Sequence, residues 1–472
     1  MTIKKVVSIF KQTHWAFVAI AGIFGLIYVF ITPPLWGFDE VAHFNRAYQI
    51  SGGKLIPPVD KSGALNRDMP SNLVELEYYV YGDLMDNSKV GVSFRKDVDS
   101  RDAYAKLTSR SFSKDLQTSP IVASYSPIAY IAPSVGIAVA NLFNMSIGVM
   151  IIVARLSSLV AYILMVYFAL SILKNKKIKW LVFIVALMPM SVFQASMVSA
   201  DGMTIGLSLL FTSLLLSAVL NPNEFSKKHL YAIFTVAALI PLVKFNYIFL
   251  SLGLLLIPNS IFSTKKIAVI VKSVGLLIVT MSAVIWALLT KADNSSTVSP
   301  RPDGLPVVVS DQIMHMLHHP IGFFIAMARS LVDTSDRYIQ SMTSMIGWNE
   351  VALPFIFIGV IIVGIVIAVL YAKEEAILTR KKLYVLNVLA ILGVVSIFAA
   401  MYIYFNPTGY SIVDGVQGRY FIPFIIPVSA LIVSLVPSNR LDLKDKTVAF
   451  MFLATTSAVL LSSVICYYLA TY

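Results

Sequence analysis

The chain of 472 residues is 57% hydrophobic and only 13% charged, with a mean hydropathy of +0.79; this excludes a soluble globular protein of that size and indicates a polytopic membrane protein. Its one cysteine, Cys466, excludes an internal disulfide and a thiolate metal cluster. The net charge of +12 requires no nucleic acid, because Lys and Arg gather in cytoplasmic loops and near anionic headgroups.

The first apolar segment, Trp15 to Ile31, has no small-residue cleavage site behind it and reads as a retained transmembrane helix. Lys4, Lys5 and Lys11 precede it, so the N-terminus is expected in the cytoplasm. A large extracytoplasmic loop over 33–146, carrying interfacial helices, is expected next. Its polar part of roughly 90 residues is far longer than an ordinary connection. The apolar stretch 127–143 begins near Tyr125 and Tyr130 and contains Pro133. If it crossed, "KNKKIK" at 174–179 would lie outside, against the charge rule. It is therefore read as interfacial or re-entrant, with the two tyrosines in an interfacial belt.

The expected spans are then 15–32, 150–173, 180–197, 203–220, 230–243, 246–261, 268–290, 352–372, 383–404, 420–437 and 447–468: an all-α polytopic protein of about eleven transmembrane helices. The whole chain, 1–472, forms one integral membrane domain. The pair 230–243 and 246–261 is interrupted at "PLVKFNY", and interrupted helices at membrane depth mark cavities and sites. A second extracytoplasmic loop is expected at 291–351, with Trp348 of "GWNEVALP" as an interfacial anchor.

This topology collects the notable charges on the outer side. In "PPLWGFDEVAHFNRAYQ", helical spacing sets Asp39, His43 and Arg46 on one face. A carboxylate there, Asp39 or Glu40, can take a proton from a hydroxyl, with His43 or Arg46 holding it. The simpler alternative is a helix-capping Asp with solvated neighbours. Asp201 of "SADG" suits a helix N-cap, a supporting acid, or both. Lys244 is either a snorkelling lysine or the partner of a phosphate. In "GVQGRYFIP", Gln417 and Arg419 fit phosphate oxygens, the guanidinium through its planar fork; a turn with an interfacial Arg is the alternative. Arg155 lies near the outer end of its span. "HMLHH" (315–319) has metal-compatible spacing without a carboxylate in register, so an amphipathic helix on the outer leaflet is favoured.

An acidic pair in the first outer loop, a further acid in the next and a lysine between short helices resemble the GT-C superfamily of membrane glycosyltransferases. "PPLWGFDEVAHFNRAYQISGGKL", "KFNY", "GWNEVALP" and "GVQGRYFIP" more closely resemble a bacterial family of membrane proteins of unassigned function, itself related to GT-C enzymes. The resemblance covers nearly the whole chain. It implies a GT-C-like helical bundle in the cytoplasmic (inner) membrane and an active site on its outer face. It also implies an inverting hexosyltransferase, whose donor is a polyprenyl-phosphate-linked sugar and whose acceptor is a surface polysaccharide. By that resemblance the first-loop acid, Asp39 or Glu40, is the catalytic base; His43, Arg46 and Asp201 support it. Lys244, Arg419, Gln417 and Arg155 would bind the carrier phosphate. No metal or other cofactor is needed for a phosphate leaving group held by cations, although a divalent cation is compatible. Many GT-C enzymes add a C-terminal soluble domain where this chain ends after a helix, so the two outer loops are expected to recognise the acceptor. The alternatives are a transporter or flippase for a lipid-linked saccharide or anionic solute, a surface-glycan polymerase or ligase, and a non-catalytic scaffold. Membrane lipids are partners in every case.

Overall fold

In hydrocarbon every backbone N–H and C=O must be satisfied within the segment, so long apolar stretches fold as helices. The computed structural model describes residues 12–58, 68–86, 98–119, 121–122, 124–290, 305–347, 351–371, 380–435, 441 and 443–472. Helix α1 (Thr13–Ile31) leads through a turn to α2 (Glu40–Ser51). The region up to residue 146 carries β1 (Asp68–Pro70), α3 (Ser71–Asp86), α4 (Val98–Thr108), β2 (Leu116–Thr118), a 3-10 turn at Pro127–Tyr130 and α5 (Ile131–Leu142). Then follow α6 (Ile147–Ile172), α7 (Lys176–Ala186), α8 (Pro189–Ala195), α9 (Ala200–Leu220) and α10 (Lys227–Val243). A broken stretch with α11 (Ile248–Ser251) precedes α12 (Lys265–Leu289). Three helices, α13 (Val309–His318), α14 (Pro320–Asp333) and α15 (Ser335–Thr343), fill the next connection. The chain continues with α16 (Phe355–Leu370), α17 (Arg380–Phe405), α18 (Ile422–Leu435) and α19 (Asp445–Thr471).

Among the described residues, seven helices are long and apolar enough to cross a membrane: α1, α6, α9, α12, α17, α18 with its preceding 3-10 turn, and α19. Helices α7 and α8, bent by 63° at the break before Pro189, make an eighth if taken as one span. Proline at that point removes a helical donor and turns the axis. The other three expected spans fall on shorter pieces. Helix α10 has 17 residues and contains Pro241, residues 245–256 alternate between 3-10 and α geometry, and α16 has 16 residues. Sixteen residues at 1.5 Å each reach about 24 Å, short of a ~30 Å hydrocarbon core.

Among its described residues the region 33–146 is mostly helical, and β1 and β2 pair antiparallel, Asp68 opposite Thr118. Helix α5 packs along α6 as the return arm of a hairpin. Pro133 lines a small void with Ser158 and Ala161, a β-carbon on Gly136 would strike Val153 O and Ala154, and Met145 N reaches back to Ala140 O just before α6 begins. Helix α5 thus ends where α6 starts.

Helix α9 is the hub, with 78% of its apolar window inside the protein, against 28% for α12. Small residues permit this: Gly202 meets the backbone of α8 and Gly206 the Met165 side chain of α6. Polar residues at the first turn of this central helix are therefore held from all sides. The helix order brings the end of α1, the starts of α9 and α18 and the end of α10 to one end of the bundle. The lysine pairs at 176–177, 227–228, 265–266 and 381–382 stand at the other end.

Candidate functional site

The turn "PPLWGFD" delivers two adjacent carboxylates to different fates. Leu35 (φ 67°) and Asp39 (φ 52°) both occupy the left-handed region, which Asp tolerates far better than a bulky residue; such conformations concentrate at functional turns. Asp39 stands at the N-cap of α2 without a capping hydrogen bond, and its side chain is 47% exposed. Glu40, one residue on, is fully buried.

Glu40 and Arg155 complete each other. Arg155 Nε donates to Glu40 Oε1 at 2.7 Å and Nη2 to Oε2 at 2.5 Å. Its remaining protons go to the carbonyls of Val29 (3.2 Å), Thr32 (2.6 Å) and Pro33 (2.8 Å). Glu40 also accepts from Gly37 N at 2.9 Å and Val198 N at 3.0 Å. All five guanidinium donors and the four carboxylate acceptor positions are thereby used. The geometry leaves neither group free for chemistry: the pair staples the exit of α1 to α6 and to the entry of α9.

The charges that do converge are Asp39, Asp201, Lys244 and Arg419. Asp201 lies in the first turn of α9, with its N–H capped by Ser199 Oγ at 3.0 Å. Lys244 marks the interruption after α10; its backbone is extended there (φ −147°), and its ammonium pairs with Asp201 Oδ1. Arg419 Nε lies 2.8 Å from Asp201 Oδ2, and its Nη2 3.4 Å from Asp39 Oδ2. The guanidinium rests 3.5 Å above the Phe38 ring, while Lys244 sits 4.6 Å from the Tyr420 ring and 5.5 Å from that of Tyr125. Cations over aromatic faces gain further stabilisation when desolvated. Arg419 Nη1 is buried and makes no well-formed hydrogen bond among the described residues.

His43 adds a hydrogen bond rather than a charge. Its Nδ1 is 2.6 Å from Tyr130 Oη, and its ring lies parallel to that of Tyr125 at 6.0 Å. Burial pulls its pKa from 6.5 down to about 4, so at neutral pH the imidazole carries no charge. Two carboxylates and two cations then balance, with Asp39 the accessible member. Arg46 points away from this group: it donates to Gln49 Oε1 (3.1 Å) and to the carbonyls of Lys54 (3.0 Å) and Leu55 (2.5 Å), closing the end of α2. The expected common face of Asp39, His43 and Arg46 is thus divided. Gln417 is the N-cap of the 3-10 turn that carries Arg419, and its buried Oε1 has no hydrogen-bond partner among the described residues.

Sequence reasoning missed the aromatic lining. Tyr130 is fully buried against His43 instead of sitting in an interfacial belt, and Tyr125, Phe38 and Tyr420 surround the cations. Their proximity in sequence to Pro127, Asp39 and Arg419 was the available signal. Of the "HMLHH" stretch, His315 abuts Gly409, the loop before Arg419. Trp348 lies outside the described residues.

A helical bundle with several candidate spans and a buried charge cluster at one end defines an all-α polytopic membrane protein. Residues 23–428 match the family described as predicted membrane protein DUF2142, and the chain belongs to that family. Comparison with curated proteins and with solved structures finds no match.

Proposed function

We propose that this protein is an inverting glycosyltransferase of the GT-C type, moving a sugar from a polyprenyl-phosphate carrier to a surface polysaccharide. One observation carries the reading: a half-exposed carboxylate, Asp39, stands in front of a buried Asp201–Lys244–Arg419 group that holds two cations. Inversion requires a base on one side of the anomeric carbon and stabilisation of the departing phosphate on the other. Asp39 takes the proton of the acceptor hydroxyl as that oxygen attacks the anomeric carbon. The bond from that carbon to the phosphate oxygen breaks, and its electron pair stays with the phosphate. Arg419 and Lys244 meet the charge as it develops, where fixed donors act most strongly. Asp201 keeps both cations ionised and aimed. Asp39 is the base in this scheme because Glu40 is committed to Arg155.

The lysine-bearing ends of the bundle support a cytoplasmic location for the end opposite the site. The site then faces outward from the inner membrane of a bacterium, where prenyl-linked sugars and surface polymers meet. The test is transfer of a radiolabelled sugar from a polyprenyl phosphate by purified protein in nanodiscs, with Asp39→Asn as the control. Vectorial movement of the lipid in proteoliposomes without a new glycosidic bond would favour a flippase instead.

A further inference from the structure

Helices α13, α14 and α15 contribute no residue to the charged cluster, yet each grips the segment that ends in Arg419. Between α17 and the 3-10 turn at Gly418–Phe421, the chain runs through residues 406–417 without helix or strand. Asn406, fully buried, ties that segment to itself: its Oδ1 accepts from Asp414 N at 2.9 Å and its Nδ2 donates to Asp414 O at 3.1 Å. Three side chains from outside then hold successive points. Gln312 Oε1 of α13 accepts from Gly409 N at 2.8 Å, Ser330 Oγ of α14 from Val413 N at 2.6 Å, and Ser341 Oγ of α15 from Gly418 N at 2.8 Å. The last contact is also the tightest in packing. A β-carbon on Gly418 would lie 1.8 Å from Tyr338 O and 2.6 Å from Met342 N, so the backbone just before Arg419 is pressed against α15.

We propose that Ser341, assisted by Ser330 and Gln312, is a positioning residue for Arg419. The clamp fixes the Gly418 amide, and with it the origin of the guanidinium that reaches Asp201 and Asp39. The charge pairs of the site fix Arg419 at its far end, and Tyr247 Oη, at 2.8 Å, donates to the carbonyl of Tyr420 just after it; a long side chain also needs the backbone before it held if its fork is to stay within an ångström of a reacting group. The ligand named in the test rests on the proposed function, whereas the clamp itself does not.

The experiment uses the full chain in nanodiscs and reads two quantities. Ser341→Ala should raise amide hydrogen exchange over residues 413–420 severalfold, leave α1, α6 and α9 unchanged, and weaken binding of a polyprenyl phosphate roughly fivefold, the worth of one hydrogen bond. Ser341→Thr should restore both, and Ser330→Ala should act in the same direction. In an Arg419→Ala background, Ser341→Ala should change binding by less than about twofold, because effects that pass through one residue vanish with it. Unchanged exchange in Ser341→Ala, or weakened binding that persists in full without Arg419, overturns the proposal. If the wild-type protein binds no polyprenyl phosphate, the proposed function falls and the exchange arm alone decides the clamp.

Discussion

Replacing Glu40 with Gln and, separately, Asp39 with Asn should separate folding from chemistry at two neighbouring positions. In Glu40→Gln the guanidinium of Arg155 stays fully buried and loses its only carboxylate among the described residues. Whichever oxygen becomes the amide nitrogen, its two hydrogens face two donors, either Arg155 Nε and Val198 N or Arg155 Nη2 and Gly37 N. Breaking a buried pair from one side costs about 3–5 kcal/mol, a large share of the ~5–15 kcal/mol that holds a typical domain together. Asp39→Asn loses only a 3.4 Å contact from a side chain that is 47% exposed, worth under about 1 kcal/mol, and Asn accepts the left-handed backbone as Asp does. Thermal unfolding in detergent, followed by size-exclusion chromatography, should therefore show a large loss of stability for Glu40→Gln and almost none for Asp39→Asn. Sugar transfer should fall by roughly 10²–10⁴ in Asp39→Asn, the usual contribution of a general base. Removing both buried charges, with Glu40→Gln and Arg155→Met together, should recover part of the lost stability. If Glu40→Gln unfolds at the wild-type temperature, or Asp39→Asn is destabilised equally, the division of labour between the two acids is wrong.

Arg419→Lys keeps the charge but removes the fork that spans Asp39 and Asp201, and kcat/KM for transfer should fall about 10–100-fold, as for one charge-assisted hydrogen bond. Gly37→Ala should destabilise the protein in the manner of Glu40→Gln, because the new β-carbon would lie 2.9 Å from Glu40 Oε2 and from Met197 Cγ; a melting curve superimposable on wild type would contradict this. Two buried groups predict opposite pH windows. His43, lowered from 6.5 to about 4, favours the fold while neutral, so its contribution is complete above pH 6.5 and declines as pH falls towards 4; the difference amounts to about 3 kcal/mol, and His43→Gln should flatten the acid side of the profile. Glu77 accepts from Ser119 Oγ and is raised from 4.5 to about 7, chiefly by burial. Its neutral form favours the fold, so stability should decline as pH rises from 4.5 to 7, and Glu77→Gln should remove that slope from melting temperatures measured across the range.

Much of the site was legible because its members flank apolar segments. Asp201, Lys244 and Arg419 each stand where a hydrophobic run starts, breaks or resumes, and a charge at such a point is costly unless it is paired or used. The interruption at "PLVKFNY" was readable for the same reason: a lysine on a lipid-facing helix is costly, and the helix, which runs through Pro241, ends just before Lys244. The individual partners were not legible. Nothing in "FDEV" says which acid meets Arg155, because that depends on the left-handed turn at Asp39, which swings one carboxylate inward and leaves the other at the surface. Arg46 looked equivalent to His43 on helical spacing, yet the loop at 54–55 presents carbonyls that capture it.

Sequence by itself determined that this chain lives in a membrane and that its long apolar segments are helical, since hydrocarbon penalises unpaired backbone and stray charge whatever the neighbours. Tertiary structure alone decided the pairings: Glu40 with Arg155, Asp201 with Lys244 and Arg419, and Ser341 with the Gly418 amide. These contacts join residues 43 to 218 positions apart and depend on how the helices stack, which no local pattern encodes.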